Sequence, residues 1–331
     1  MKIAIVILNW NGRKLLEKFL PSVVAHSGNA AIYIADNAST DDSVKFVSEA
    51  YPTVQIIVNQ QNGGYAKGYN EALRNLSEDI YVLLNSDVEV TENWLDPIID
   101  RFGLDSKMVA AQPKILDYRR KNYFEYAGAA GGYIDKYGYP YCRGRIFDTL
   151  EIDMGQYDND VEIFWASGAC LFVRSQSFWE VDGFDEDYFA HQEEIDLCWR
   201  MQNAGGKIRY IGQSKVYHVG GATLSTTSPQ KTFFNFRNSL LNIYKNVSGP
   251  SAYWTILIRF ILDGVAGFLF LIKGQPQHFA AIIRAHFSFY SMLPIFHKKR
   301  KIFGSRNLYF MINSIVYQYF IAGKKKFNEL S

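Results

Sequence analysis

An α/β fold with a mostly parallel central sheet flanked by helices is predicted by two features of the first 90 residues. Short β-branched runs alternate with helix-like stretches, and the runs end in turns rich in Asn, Asp and Gly. Ile3–Leu8, Ile32–Ala35, Gln55–Val58 and Ile80–Leu84 read as strands, and Lys14–His26, Asp42–Ala50 and Ala66–Asn75 as helices. In open sheets of this kind, ligands bind beyond the carboxyl ends of the strands. Those ends carry Asn9-Trp10-Asn11-Gly12, Asp36-Asn37-Ala38-Ser39 and Asn85-Ser86-Asp87, so polar groups are expected along one edge.

Residues 110–175 are less regular and rich in Tyr and Gly, as expected of mixed strands and loops building the second half of a cleft. From Lys231 the pattern becomes helical and basic, through Phe233–Lys245, Tyr253–Lys273, Phe279–Tyr290 and Leu308–Ala322. A boundary is expected near 230, separating a body of two halves, 1–110 and 111–230, from a helical extension, 231–331. Charge supports the division: of 35 basic and 33 acidic residues, 13 and 2 fall in 232–331, which carries net +11 against −9 before it. Such asymmetry points to an anionic partner for the tail, lipid headgroups or nucleic acid.

Cys142, Cys170 and Cys198 form no paired metal spacing and read as reduced thiols of a cytosolic protein. Met1-Lys2 leads straight into a strand too short for a signal peptide, so the body is expected on the cytoplasmic side. Tyr253–Ile272 is interrupted by Arg259 and Asp263 and falls short of the roughly 20 apolar residues of a span. A helix lying on a membrane or buried in protein fits better, with Arg259 and Asp263 paired on one face.

Several segments carry candidate chemistry. Asp87 and Glu89 follow the Ile80–Leu84 strand, where alternation would point both the same way; they read as a solvated acidic turn or as a site for a hard cation that also binds diphosphate. In Asp36–Asp42, Ser39, Asp41 and Asp42 suit helix capping, whereas Asp36 can accept hydrogen bonds from a nucleobase or ribose. Asn62-Gly63-Gly64, with Gly68 and Asn70, places bare backbone at a helix start, as either a plain turn or an anion cradle; it lacks the Lys-Ser/Thr ending of a Walker loop. Glu193, Glu194 and Asp196 crowd three carboxylates into four residues, which raises proton affinity and suits a general base, though an acidic helix start has the same appearance. His218, before Gly220 and Gly221, is a structural histidine or a metal ligand. Trp165, with Ser167 and Gly168, can wall an acceptor pocket or simply fill the core.

Taken in order, seven segments resemble family 2 glycosyltransferases, especially bacterial rhamnosyltransferase-like members. They are Val6–Gly12, Asp36–Asp42, Asn62–Asn70, Leu84–Glu89, Gly183–Glu186, Glu193–Arg200 and His218–Gly221, and the resemblance covers residues 1 to about 245. It implies a GT-A fold, a Rossmann-like nucleotide-sugar-binding half (1–110) merged with an acceptor-binding half (111–230), and an inverting transfer. By that resemblance Asp36 would bind the base and ribose, with Asn9, Asn11, Asn37, Asn85 and Ser86 nearby. Asp87 and Glu89 match the acidic motif for Mg²⁺ or Mn²⁺, and His218 the histidine that completes it in some relatives. Glu194 stands where the family usually has the catalytic Asp of a Glu-Asp pair, and Glu193 at the preceding Glu.

The expected reaction takes a sugar from a UDP-, dTDP- or GDP-sugar to a glycan or lipid-linked acceptor in cell-surface polysaccharide synthesis. The basic tail, with His297–Lys301 and Lys324–Lys326, would hold the protein peripherally on the inner face of the cell membrane. A nucleic-acid partner is disfavoured because the tail's aromatics sit in apolar helical patterns, not on a stacking sheet. A sugar nucleotidyltransferase would carry a basic glycine-rich signature near the N-terminus, which Asn9–Arg13 is not. A non-catalytic nucleotide-sugar binder would not need the carboxylates at 87, 89 and 194.

Overall fold

The structure is a computed structural model that describes residues 1–220, 228–300 and 309–330. Its strands are β1 (Ile3–Asn9), β2 (Ala31–Asp36), β3 (Gln55–Val58), β4 (Ile80–Asn85), β5 (Val88–Val90), β6 (Met108–Asp117), β7 (Gly132–Ile134), β8 (Pro140–Cys142), β9 (Arg145–Ile146), β10 (Thr149–Leu150), β11 (Val161–Ile163), β12 (Cys170–Arg174) and β13 (Lys207–His218). The helices are α1 (Arg13–His26), α2 (Ser43–Ala50), α3 (Gly64–Leu73), α4 (Asp96–Leu104), α5 (Ser175–Glu180), α6 (Glu193–Asn203), α7 (Pro229–Asn246), α8 (Ser251–Ile272) and α9 (Pro276–Lys299).

One sheet runs in the order β11-β13-β6-β12-β4-β1-β2-β3, with β5 paired to β13, and a small sheet runs β10-β9-β8-β7. β4, β1, β2 and β3 are mutually parallel, as are β6 and β13, while β12 is antiparallel to both β4 and β6. Apolar side chains fill both faces: α1, α2 and α4 cover one through Leu16, Val47 and Phe102, and α3, α5 and α6 cover the other through Tyr69, Phe178 and Leu197. The four predicted strands and three predicted helices of the first half are all present.

β6 is the element that the irregular reading of 110–175 left out. Its first nine residues are buried, including Gln112 and Lys114. A central strand covered on both faces loses the polar alternation that would mark it, and the polar residues find partners inside. Gln112 donates to the carbonyls of Pro113 and Gly128, and Lys114 pairs with Asp153 and Asp158.

The helices after residue 230 pack firmly on the body. Leu240, Leu241 and Ile243 of α7 belong to the same apolar cluster as Leu197 and Trp199 of α6. Below them, Asp196 accepts from Arg200 Nε (2.7 Å), Lys245 Nζ (2.9 Å) and Asn246 Nδ2 (2.9 Å), and Lys245 also reaches Asp185 at 2.7 Å. Removing one partner from such a buried network typically costs about 3–5 kcal/mol.

Arg259 and Asp263 do pair on one face of α8, at 3.3 Å. Both are buried against the body: Tyr139 donates to Asp263 at 3.0 Å, and Arg259 donates to the Tyr137 carbonyl at 2.9 Å. With its charges turned inward, α8 presents Trp254, Leu257, Ile261, Val265, Phe268 and Ile272 outward at helical spacing. The apparent interruption of Tyr253–Ile272 is therefore no interruption on the outer face. By length and composition α8 and α9 could each cross a membrane, although one face of each lies on protein. Of the basic run His297–Lys301, Lys299 turns inward to Asp185 and Asp187 and Arg300 to backbone carbonyls, while Lys301 lies outside the described residues. Of the helix expected over Leu308–Ala322, Leu308 also lies outside them, and the rest holds a short turn ending in Tyr317–Ile321.

Candidate active site

Asp87 lies in the turn between β4 and β5. The chain then folds back so that β5 pairs antiparallel with the end of β13, matching Val88 to His218 and Glu89 to Tyr217. This register closes a gap of 131 residues and sets His218 Nε2 3.1 Å from Asp87 Oδ1. Asn85 Nδ2 stands 3.4 Å from the same ring nitrogen. On the opposite side of the ring, Nδ1 lies 3.4 Å from Glu125 Oε1.

Glu125 is absent from the sequence candidates because it sits in the irregular segment, alone and without a motif. Gly220 makes its approach possible. Gly220 has φ +69°, and a Cβ there would lie 2.7 Å from Glu125 Oε1. Burial disfavours a charged His218, but the Glu125 and Asp87 carboxylates overcome it and push its pKa up to about 10. Burial also works to raise Asp87, yet the hydrogen bond and charge of His218 hold it below the usual carboxylate range.

Glu89 does not join this pair. The strand alternation that would align it with Asp87 begins only after the turn, and its carboxylate is held 2.6 Å from Lys121 Nζ. Among the described residues no three His, Cys, Asp or Glu side chains are grouped to hold an ion by themselves. Asp87 and His218 remain as one oxygen and one nitrogen donor at the carboxyl end of β4. That set fits a divalent cation once the ion has displaced the proton that Asp87 and Glu125 hold on His218, with diphosphate oxygens filling its remaining positions.

The second group of ionisable side chains opens α6. Phe189, His191 and Gln192 immediately before it have left-handed backbone, with φ of 65°, 68° and 68°. Such conformations cost non-glycine residues about 1–3 kcal/mol each and concentrate at functional turns. Glu193 and Glu194 each keep one buried oxygen without a hydrogen bond among the described residues. Burial raises both carboxyls, Glu193 further because of its neighbour's charge, and Glu194 is pushed up to about 7. Glu193 is buried and Glu194 partly exposed, which makes Glu194 the more accessible of the two. Asp196 is different: it is fully buried, and Arg200 and Lys245 hold it ionised against that burial.

Cys142, raised by burial, feels both Glu125 and Glu194, and is contacted by Arg145 Nη2 at 3.4 Å. Tyr65 of α3 lies within electrostatic reach of Glu193 and Glu194; its hydroxyl donates to the Gly168 carbonyl at 2.8 Å and its backbone amide to the Phe189 carbonyl at 3.2 Å.

The nucleotide candidates form a tightly bonded edge. Asn9 Nδ2 donates to Asp36 Oδ1 (3.0 Å), Ser39 Oγ (3.1 Å) and Ser43 Oγ (2.9 Å), and the Ser39 amide donates to Asp36 Oδ2 (2.9 Å). Both oxygens of buried Asp36 thus brace the β1 and β2 loops. Asn37 Nδ2 donates to Asn62 Oδ1 at 2.9 Å, and Asn62 in turn accepts from the Gly64 amide at 3.0 Å. Asn11 stays exposed and receives the Thr40 amide at 2.7 Å, with exposed Trp10 beside it. Gly68 is a packing glycine, since a Cβ would lie 2.9 Å from Leu8, and Asn70 pins α3 to Phe184 through 2.8 Å and 3.0 Å bonds. Gly63 precedes α3 beside Lys67, and Ser86 adjoins Gly12 and Asn9.

Of the acceptor candidates, Trp165 is taken into the core with Nε1 donating to the Tyr133 carbonyl at 3.0 Å, and Ser167 is buried on Gln112. Gly168 alone of the three borders Tyr65 and the cleft. Gly221 lies outside the described residues.

Two solved structures share this architecture. The mannosyltransferase PcManGT from Pyrobaculum calidifontis, in complex with GDP-Man and Mn²⁺, superposes with a TM-score of 0.54 at 12% identity, covering 87% of each chain. S. aureus TarS in complex with UDP-GlcNAc superposes with a TM-score of 0.56 at 15% identity, covering 91% of this chain and 87% of that one. The mixed sheet flanked by helices is that of the GT-A fold. Residues 4–159 match the model of glycosyl transferase family 2, so the chain carries a domain of that family. It is 26% identical over 275 residues to the N-acetylglucosaminyl-diphospho-decaprenol L-rhamnosyltransferase of Mycobacterium tuberculosis, covering 78% of this chain and 89% of that protein.

Proposed function

We propose that this enzyme moves a sugar from a nucleoside diphosphate donor to a hydroxyl of a lipid-linked or polysaccharide acceptor by a single inverting displacement. The observations that carry this reading are the pairing of Asp87 with His218 at the end of β4 and the two carboxyls of raised proton affinity at the start of α6. Glu194 accepts the acceptor hydroxyl's proton as its oxygen attacks the anomeric carbon, and Glu193 keeps Glu194 company as a buried, protonated neighbour. Asp87 and His218 orient the leaving diphosphate. When bound there, Mg²⁺ or Mn²⁺ supplies positive charge against the charge that develops on that leaving group. The braced Asn9–Asp36–Ser39 edge shapes the base and ribose position, and pocket contacts select among UDP-, dTDP- and GDP-sugars.

Incubation with each of these donors, Mn²⁺ and a prenyl-diphosphate-linked sugar should yield a sugar-extended lipid detectable by mass spectrometry. Pyrophosphate release from a nucleoside triphosphate in its place would indicate a nucleotidyltransferase, and neither product would leave a binding protein.

The outer face of α8 supports a membrane-surface position for this reaction. Six apolar side chains line it, and Lys273 ends it. Burying such a stripe in lipid is favourable by about 25 cal/mol per Å², and each nearby basic residue adds about 1 kcal/mol on an anionic surface. Truncation would break the α6–α7 core, so substitutions are the cleaner test. In flotation with phosphatidylglycerol vesicles, Ile261→Asp with Phe268→Asp should lose most vesicle binding while remaining folded by circular dichroism; equal flotation of variant and wild type would reject the surface.

A further inference from the structure

Beside Glu125, the carboxylate behind His218, lies a group of positive side chains that the proposed transfer does not use. Arg145, at the start of β9, is 7% exposed, and its guanidinium stacks on the Tyr126 ring at 4.5 Å. Its Nε is buried without a hydrogen bond among the described residues, and its Nη2 has Cys142 Sγ at 3.4 Å, a weak acceptor. Lys231, in the first turn of α7, brings Nζ within 5.5 Å of the same ring.

Among the described residues neither Arg145 nor Lys231 forms an ion pair. The nearest carboxylate acting on both is Glu125, and that group is already engaged with His218 and with the Ala127 amide. Two cations thus share the Tyr126 ring, and Arg145 Nε has no acceptor among the described residues. Tyr126, 39% exposed, opens the group to solvent. A desolvated arginine with a free donor edge is costly to keep unless an acceptor of matching geometry arrives. A phosphate oxygen is such an acceptor, because a guanidinium edge and an ammonium can both donate to it.

We propose that Arg145 and Lys231, with Tyr126 as platform, form a diphosphate-binding subsite beside the Glu125–His218 pair. It extends the glycosyltransferase reading by giving the enzyme a second grip on phosphate. The diphosphate comes either from the nucleotide leaving group or from a lipid-diphosphate acceptor. Both present the same oxygens to Arg145 and Lys231.

Calorimetric titration of the full chain with inorganic pyrophosphate in EDTA tests the site without metal and without turnover. Wild type should bind, Lys231→Gln should bind about tenfold more weakly, and Arg145→Gln at least as weakly. Lys231 is partly exposed near a helix start, so its variant reports even where Arg145→Gln fails to fold. Farnesyl diphosphate and UDP, GDP and dTDP, titrated in parallel, separate the sources: weakening confined to farnesyl diphosphate assigns the subsite to the acceptor, and weakening confined to a nucleotide assigns it to the donor. Pyrophosphate affinity equal in wild type and Lys231→Gln, or no binding by wild type, overturns the subsite. Because the readout is binding alone, such a result stands apart from the product assay, which would still register sugar transfer.

Discussion

Glu194→Gln is expected to lower sugar transfer by about 10²–10⁴-fold while nucleotide binding stays within about twofold, the loss typical of a missing general base. The substitution keeps the side chain's size and hydrogen-bonding reach and removes its ability to take a proton. Wild-type turnover carries a second signature. Burial pushes Glu194 up to about 7, so its reactive, ionised form is scarce at pH 6 and dominant at pH 8, and the rate should rise with pH through about 7 and then level. Stability runs the other way. A carboxyl whose folded pKa is raised favours the folded state fully below its unfolded value near 4.5, and this contribution is lost as pH climbs toward 7. Glu194→Gln should therefore melt at the same or a higher temperature than wild type at pH 8, which separates a lost base from a damaged fold. A rate profile flat from pH 6 to 8, or near-normal transfer by the variant, would assign the proton to another group, with Glu193→Gln the next to examine.

Asp87→Asn should reduce transfer by about 10²–10³-fold and remove the Mn²⁺-dependent part of nucleotide binding, measured by calorimetry with and without the ion. Asp87 is buried, and its Oδ1 faces His218 Nε2 at 3.1 Å, so the amide preserves shape while removing the pair's only negative charge. Glu89→Gln is the paired control. Its carboxylate is engaged with Lys121, and the variant should keep both transfer and Mn²⁺-dependent binding within a few-fold of wild type. If Glu89→Gln fell as far as Asp87→Asn, the ion would have to be shared differently from what the β5 turn suggests.

The contrast between Asp87 and Glu89 illustrates what local pattern reading can reach. Alternation along a strand places residues two apart on one face, but Asp87 belongs to the turn and Glu89 to β5. The turn breaks the period, and nothing in the triplet itself marks where. Asp36 shows a similar gap. Its position at a strand end was readable, whereas its engagement by Asn9 and Ser39 depends on β1 and β2 lying side by side. Trp165 entered the core because Gly132 leaves room for its ring: a Cβ at that glycine would lie 2.0 Å from it. Each of these outcomes depends on residues far away in sequence.

Local periodicity and turn chemistry in the chain alone determined the parallel half of the sheet, its helices, the polar edge at the strand ends, and the basic tail. These follow from interactions between near neighbours. The tertiary structure decided the rest: β6 inside the sheet, His218 beside Asp87 through the β5–β13 register, Glu125 behind that histidine, and Arg259 and Asp263 turned inward so that α8 shows an apolar face. The physical reason is common to all four. A buried polar group is stable only where a distant part of the chain supplies its partner, and strand register and helix packing fix that partner.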